Sequence, residues 1–471
     1  METVNKEATY AALSHCWGKS RQFTTTTATI EQHKLNIELS LLPKTFQDAI
    51  VFCQKLRIEY LWIDSLCIVQ DDRADWELEA AKMGSIYENA FITLAAAGAA
   101  DDDGGLFFET PKLRFNGITP SGEIWHAEAF HVIEHNKWTL AEASQMCPLA
   151  TRGWVFQERI LSRRMLHFGR QELSWECKEE IACECQANNF NFDTVPDLGP
   201  ALERAPFDAV ALWQKIIVGY TPLKLSVSSD KLPAISAIAR KLAPYRSGQY
   251  LAGLWEDSLL LDLLWQVEEG DVLAKPDEWR APSWSWASVD SGITYASRSD
   301  STPHITQHHV QSEHLFRCRV LGALRKPVGL NDFGEVSNGQ LRIEGHLVKL
   351  KFEQLPNDAD NNESQEIDES QGWTQVELNV ENRFRRDYEL KGKWNVSPDE
   401  AIFCLRILMD PMPPRRFCYS IVLRPVDVRL QTFERIGCLV YRYSSIPLEF
   451  PGWWGDEYRD AALETTEITI V

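Results

Sequence analysis

Residues 60–90 read YLWIDSLCIVQDDRADWELEAAKMGSIYENA. Tyr60–Ile63 is a short apolar run of strand length, and the polar pair Asp64 and Ser65 stands where such a strand would end. Gln70-Asp71-Asp72 is a turn-like cluster. Asp72 or Asp75 can cap the helix that follows, whose acidic first turn suits the helix dipole. Turned at about 100° per residue, that helix puts Trp76, Ala80, Met83, Tyr87 and Ala90 on one stripe. Glu77 and Glu88 lie away from the stripe and are expected in solvent. Glu79 sits at its edge, beside Ile86 and Ala90. A carboxylate there is partly desolvated and needs a partner or a purpose. Lys82 can supply an ion pair and Trp76 a packing surface; a functional role is the other reading.

The same alternation extends on both sides. Tyr10–Ser14 is a short strand that runs into Ser14-His15-Cys16-Trp17-Gly18. Thr24–Thr27 is a β-branched connector, and Ala28–Leu35 reads as a weak helix. Pro43 opens a clearer helix, with Phe46, Ala49, Ile50, Cys53 and Leu56 inward and Gln47, Gln54 and Lys55 outward. After the helix at Trp76, Phe91–Ala97 is a third strand, and Asp101-Asp102-Asp103-Gly104-Gly105 closes the unit. A β-α-β-α-β order with short connections implies a mostly parallel sheet covered on both faces. Such sheets gather functional groups at the carboxyl ends of their strands. Ser14, His15, Asp64, Ser65 and the start of the Asp72–Glu79 helix should share that rim.

Farther along, Glu123–His131 reads as a strand and Trp138–Gln145 as a short helix. Trp154–Leu161 reads as helical turns, and Arg164–Phe168 and Glu172–Glu176 as strands hinged at Gly169-Arg170. Residues 186–207 read as a loop. Ala209–Tyr220 and Lys231–Leu242 read as helices, the second capped from Ser228-Ser229-Asp230. Gly248–Trp265 is expected to be helical. Pro282–Ser288, PSWSWAS, alternates as a strand with both tryptophans on one face. Past residue 305, Arg317–Leu321, Gln340–Phe352, Thr374–Val380, Ile402–Met409, Tyr419–Val426 and Ile436–Tyr443 are β-like, and their spacing suggests a small sandwich or barrel. The acidic stretch 353–372 reads as a loop. Three parts follow: 8–185 with its blocks in 10–168, a helical and WSW-containing segment 186–300, and a β-rich part 305–471.

The chain has 471 residues, 44% of them hydrophobic, 17 tryptophans and a formal charge of −20. That charge argues against nucleic acid or anionic membrane as partner, since both need clustered Lys and Arg. There is no apolar run of about 18 residues for a membrane span and no apolar leader core at METVNKEATY. The eleven cysteines are odd in number and lack a disulfide framework, which fits a reducing cytoplasm. Cys177, Cys183 and Cys185 cluster in CKEEIACEC, but spacings of six and two do not make a zinc knuckle. They read as two core cysteines on a strand and an incidental third, with no metal expected, although His167 could join them. A P-loop and a G-x-G-x-x-G are both lacking. Ser14, His15 and Asp64 do not make a hydrolase triad either, because neighbouring strand residues face opposite ways and no nucleophile elbow precedes them.

The blocks YAALSHCWG, LPKTFQDAI, YLWIDSLCIVQDD, DWELEAAKMGSIYENAFITLAAAG and RGWVFQERILSRRMLHF, in this order over residues 10–168, resemble those of the fungal heterokaryon-incompatibility (HET) domain. SSDKLPAISAIA, YLAGLWEDSLLLDLLW, PSWSWAS and FERIGCLVY resemble the region that commonly follows it. Members usually carry an extra strand before the first block. Here nine residues precede Tyr10, which suggests a truncated or alternative N-terminus. The resemblance implies non-self recognition between fungal individuals, regulated cell death, and self-association or a protein partner in that signalling. It also implies a distant likeness to TIR domains, which are flavodoxin-like α/β modules. Some of these cleave NAD at the nicotinamide glycosidic bond with a helical glutamate.

On that implication NAD is a substrate and no cofactor is needed. Glu79 is then the candidate catalytic residue, with Trp76 before it as in the TIR aromatic-then-glutamate pattern, although one residue closer. Breaking an N-glycosidic bond develops positive charge on the ribose, which one carboxylate can stabilise. Ser14, His15, Trp17, Asp64, Ser65, Trp76 and Arg152 are the candidate substrate-binding residues. Trp17 or Trp62 can stack on a ring, and Arg152 suits a phosphate. Each has a structural reading beside it: Ser14 and His15 as loop caps, Asp64 at a helix N-terminus, and Arg152 ion-paired with Glu158. A non-catalytic signalling module is the alternative to a hydrolase.

Overall fold

The computed structural model describes residues 7–18, 23–109, 112–130, 146–185, 198, 207–267, 270–295, 315–352, 376–378, 384–396, 400–410, 417–442 and 465–471. The helix read at 138–145, nearly all of the loop at 186–207 and the acidic stretch 353–372 lie outside them.

The first elements follow the expected alternation: β1 (Tyr10–Ser14), α1 (Ile30–Leu35), α2 (Lys44–Lys55), β2 (Tyr60–Ile63), α3 (Asp64–Cys67), α4 (Arg73–Asn89) and β3 (Ile92–Ala95). β4 (Lys112–Ile118) and β5 (Ile124–Phe130) form a separate hairpin. Then come α5 (Gly153–Leu161), β6 (Arg164–Phe168), β7 (Leu173–Cys177) and β8 (Ile181–Cys183). One sheet runs β2-β1-β3-β6-β7-β8; its first four strands are parallel, β7 is antiparallel to β6, and β8 is antiparallel to β7. Thus it is an α/β unit with a mostly parallel sheet.

β1 lies between β2 and β3, and its residues Ala11 to Ser14 are fully buried. Its alternation assigns the faces. Ala11 and Leu13 pack with Phe46, Ala49 and Cys53 of α2, while Ala12 packs with Met83, Tyr87 and Ala90 at α4. Asp72 caps α4 as expected, accepting the Ala74 and Asp75 N–H groups at 2.9 and 3.3 Å. Leu56 departs from the expected inward face of α2: it follows the last helical turn and is 44% exposed. Glu77 and Glu88 also depart from their solvent placement, because later parts of the chain cover α4. Glu77 pairs with Arg73, which reaches Glu335 as well, and Glu88 pairs with Lys241.

The middle of the chain contains α6 (Ala209–Tyr220), α7 (Ser236–Leu242), β9 (Tyr250–Leu251), β10 (Leu254–Trp255), α8 (Leu259–Asp262), β11 (Trp265–Val267) and β12 (Ile293–Tyr295). Three expectations fail there. Gly248–Trp265 is no continuous helix, because Ala252 and Gly253 take φ of 47° and 98° and turn β9 back onto β10. PSWSWAS is no strand: the Ser285 hydroxyl accepts the Ala287 N–H at 3.0 Å and starts a short 3-10 turn at Trp286–Ser288. Its tryptophans are fully buried, and the Trp286 indole donates to the Gly253 carbonyl at 3.0 Å. Ser228-Ser229-Asp230 forms a 3-10 turn rather than a helix cap, and the Asp230 carboxylate accepts the Trp154 indole N–H at 2.9 Å.

The last part is β-rich, as expected: β13 (Cys318–Pro327), β14 (Val336–Gly345), β15 (Leu347–Phe352), β16 (Val376–Leu378), β17 (Phe384–Arg386), β18 (Ile402–Asp410), β19 (Phe417–Asp427), β20 (Thr432–Arg442) and β21 (Thr466–Ile470). Their order is β13-β14-β21-β20-β19-β18-β15-β16, with β17 on β20. Only His346 separates β14 from β15, yet four strands stand between them in the ladder. The sheet must therefore curl back on itself, and the Phe316–Leu408 bridge ties β18 to the segment entering β13. Among the described residues no helix is long and apolar enough to cross a membrane.

Candidate functional site

The carboxyl ends of β1, β2 and β3 meet in a cluster of charges. Chain alternation turns Ser14 toward α4 and α5, and His15 toward α2, where its ring meets Phe46 edge-on at 5.0 Å. His15 is buried between two carboxylates: Nδ1 lies 2.6 Å from Asp102 Oδ1, and Nε2 lies 2.9 Å from Asp64 Oδ1. Asp64 ends β2 and starts α3, where its Oδ1 also accepts the Ser65 N–H at 2.7 Å. Its other oxygen accepts the Trp17 indole N–H at 2.9 Å. The Arg152 guanidinium donates to the His15 carbonyl from the start of α5. Burial alone would lower the His15 pKa, but Asp64 and Asp102 outweigh it and raise it to about 9. The His15 and Arg152 charges in turn hold Asp64 below its usual range against burial, while burial keeps Asp102 above its own.

On the other side of β1 stands Glu158, a buried carboxyl on α5. Burial pushes it up to about 7 against the Ser14 hydroxyl beside it; Asp64 adds to the rise, and Arg152 and Tyr87 oppose it. Ser14 Oγ, Ser65 Oγ and Glu158 Oε2 are buried without a well-formed hydrogen bond. Such atoms ask for an explanation in water, ligand or chemistry. The expected Arg152–Glu158 ion pair is not formed, because Arg152 is engaged with the end of β1.

The fold thus brings Ser14, His15, Trp17, Asp64, Ser65 and Arg152 together. To them it adds Asp102 and Glu158, which were not among the candidate residues. Glu79 and Trp76 take other partners on α4. Glu79 Oε1 accepts a hydrogen bond from Lys82 Nζ at 2.8 Å, the ion pair weighed from the sequence. Trp76 packs edge-on against Trp154 with centroids 6.4 Å apart.

This arrangement can hold an anion through Arg152, stabilise a cation through Asp64 and exchange a proton through Glu158 near neutral pH. It lies outside the carboxyl ends of parallel strands, where β1 is flanked by β2 and β3 and the strand order reverses. Open α/β sheets bind ligands at such a point.

Residues 10–158 match the family model of the heterokaryon incompatibility protein (HET). No curated protein and no solved structure matches the chain. The chain therefore carries a HET domain, which ties it to heterokaryon incompatibility, and every residue of the charged cluster lies within it.

Proposed function

We propose that this protein is a fungal non-self recognition and cell-death effector whose HET domain hydrolyses a nucleotide, NAD first, at the rim of β1–β3. The observation that supports this most is the meeting of three separated blocks, SHCWG, WIDSLC and RGWVFQE, which brings His15, Asp64, Arg152 and the buried Glu158 carboxyl together at the ends of parallel strands. The strand order β2-β1-β3 supports the distant likeness to flavodoxin-like TIR modules.

In this reading Arg152 binds the diphosphate and Trp17 stacks on a ring. Asp64, ionised at neutral pH, faces the positive charge that develops on the ribose as nicotinamide leaves. Glu158 holds or accepts a proton at a ribose hydroxyl or the incoming water. Glu79 remains a candidate on α4, and would have to release Lys82 to act.

A non-catalytic, self-associating module is the second reading. It is favoured by the engagement of both His15 ring nitrogens, which makes that ring a strut between strands.

The experiment is incubation of the full chain with NAD, following nicotinamide release, for wild type, Asp64→Asn, Glu158→Gln and Glu79→Ala. Loss in Asp64→Asn and Glu158→Gln is the expected result; loss confined to Glu79→Ala would move the site to α4. No release at any protein concentration, including conditions that force self-association, sinks the hydrolase and leaves the module.

A further inference from the structure

At the far edge of the same sheet, β7 and β8 pair antiparallel with Ser174 opposite Cys183, Trp175 opposite Ala182 and Glu176 opposite Ile181. The chain keeps that register past the last ladder pair. Glu184 N–H donates to the Leu173 carbonyl at 3.1 Å, and Leu173 N–H donates back to the Glu184 carboxylate at 2.8 Å. Cys185 therefore stands across from Glu172, whose carboxylate accepts the Cys185 N–H at 3.0 Å. Two-residue spacing puts Cys183 and Cys185 on one face, and cross-strand pairing brings Glu172 to that face.

We propose that Glu172, Cys183 and Cys185 bind a thiophilic divalent cation, zinc first. Their ligand atoms all lie within 4.8 Å of one another, and the two Sγ atoms are 3.0 Å apart. Zinc bonds of about 2.3 Å to sulfur and about 2.0–2.2 Å to oxygen place tetrahedral ligand atoms roughly 3.5–3.8 Å apart. The present separations bracket those values. The residues are only half-buried, so an ion can enter and water can complete the coordination.

Two thiolates and a carboxylate suit zinc far better than magnesium or calcium, which require oxygen donors. Binding releases the two thiol protons to solvent. The ion would clip the outermost strand β8 to the turn between β6 and β7, at the edge opposite β2. Cys177 takes no part, since it pairs with Arg164 at the other end of β7. His167 is held by Glu176 at 3.1 Å. Nor are Cys183 and Cys185 core residues, as the sequence spacing suggested; the strand pairing exposes them together.

The test uses the full chain, purified without chelator and dialysed, with metal content measured by mass spectrometry. About one zinc per chain is expected, falling below roughly 0.1 in the Cys183→Ser/Cys185→Ser double variant. Cobalt added to the zinc-free chain should give a thiolate-to-metal charge-transfer band that the double variant lacks. Glu172→Gln should keep that band and lose zinc to a chromophoric chelator about tenfold more readily. No retained zinc together with no band on cobalt titration overturns the site. So does a Cys183–Cys185 disulfide, located by peptide mapping of the chain purified under reducing conditions.

Discussion

His15 Nε2 stands 2.9 Å from Asp64 Oδ1, so a charged pair joins the end of the first strand to the end of the second. With Asp102 on its other nitrogen, the ring is a cation whose pKa is raised to about 9. A raised histidine stabilises the fold fully below its unfolded value of about 6.5, and that stability is lost as pH climbs through about 9. Asp64 has the opposite sign: its lowered pKa contributes above the unfolded carboxylate range and is lost on acidification. Urea unfolding of the wild type should therefore show the His15 contribution, on the order of 2–3 kcal/mol, disappearing between pH 6.5 and 9. His15→Gln should be less stable at pH 6 and lose this dependence. Identical curves for the two proteins across that range would mean that His15 is neutral.

Glu158 predicts a different pH profile. Its carboxyl is raised to about 7 by burial, so the folded state holds a proton that the unfolded chain releases near its usual value. Stability contributed by the protonated form is present at low pH and falls as pH rises toward 7. Glu158→Gln keeps the shape and removes the charge. Its thermal midpoint should exceed that of wild type at pH 8, converging with it near pH 4.5, while any nicotinamide-releasing activity is lost. A lower midpoint at pH 8 would show that the ionised carboxylate is stabilised in place.

Much of the rim was legible because its signals are local. Tyr60–Ile63 is a strand, Asp72 a cap and Trp76–Ala90 a stripe through residues within one or two turns of each other. Asp102 was not legible: it is one of three consecutive aspartates, and only the pairing of β3 with β1 selects it. Glu158 could have been found. Six residues at about 100° each carry it about 240° round the helix from Arg152, so the two could not share a face. PSWSWAS misled because alternation of Ser and Trp also suits a serine-capped turn, and the choice was made by Gly253, about thirty residues earlier.

The β-rich part offers a buried pair of its own. Arg435 and Asp387 are both almost fully buried, with Nε–Oδ2 at 2.8 Å and Nη2–Oδ1 at 3.1 Å. The guanidinium also donates to the Leu263 and Trp265 carbonyls, and it stacks over the Trp265 ring at 3.5 Å. It thus joins β20 to the segment around β11. Arg435→Met leaves Asp387 buried without its cation and two carbonyls without a donor. The expected loss is about 3–5 kcal/mol, read from denaturant midpoints. Adding Asp387→Leu should recover part of it, since removing both charges avoids the unpaired one. No recovery would assign the loss to the carbonyl contacts.

Gly84 tests whether α4 is fixed against the parts that follow the HET domain. A Cβ on Gly84 would lie 2.2 Å from the Ala237 Cβ and 3.0 Å from Leu161 Cδ1. Ala237 is at the start of α7, and a Cβ cannot rotate away, so relief requires the two helices to part. Gly84→Ala gains about 1 kcal/mol of helix propensity, but overpacking a close crossing costs about 1–3 kcal/mol. The overlap is with a backbone-fixed atom, which puts the cost at the upper end and predicts a lower melting temperature. Ala237→Gly in the same chain removes the obstructing atom and should return the melting temperature toward wild type, despite adding a helical glycine. If Gly84→Ala alone were stabilising, α4 and α7 would have to stand farther apart than the Ala237 contact places them.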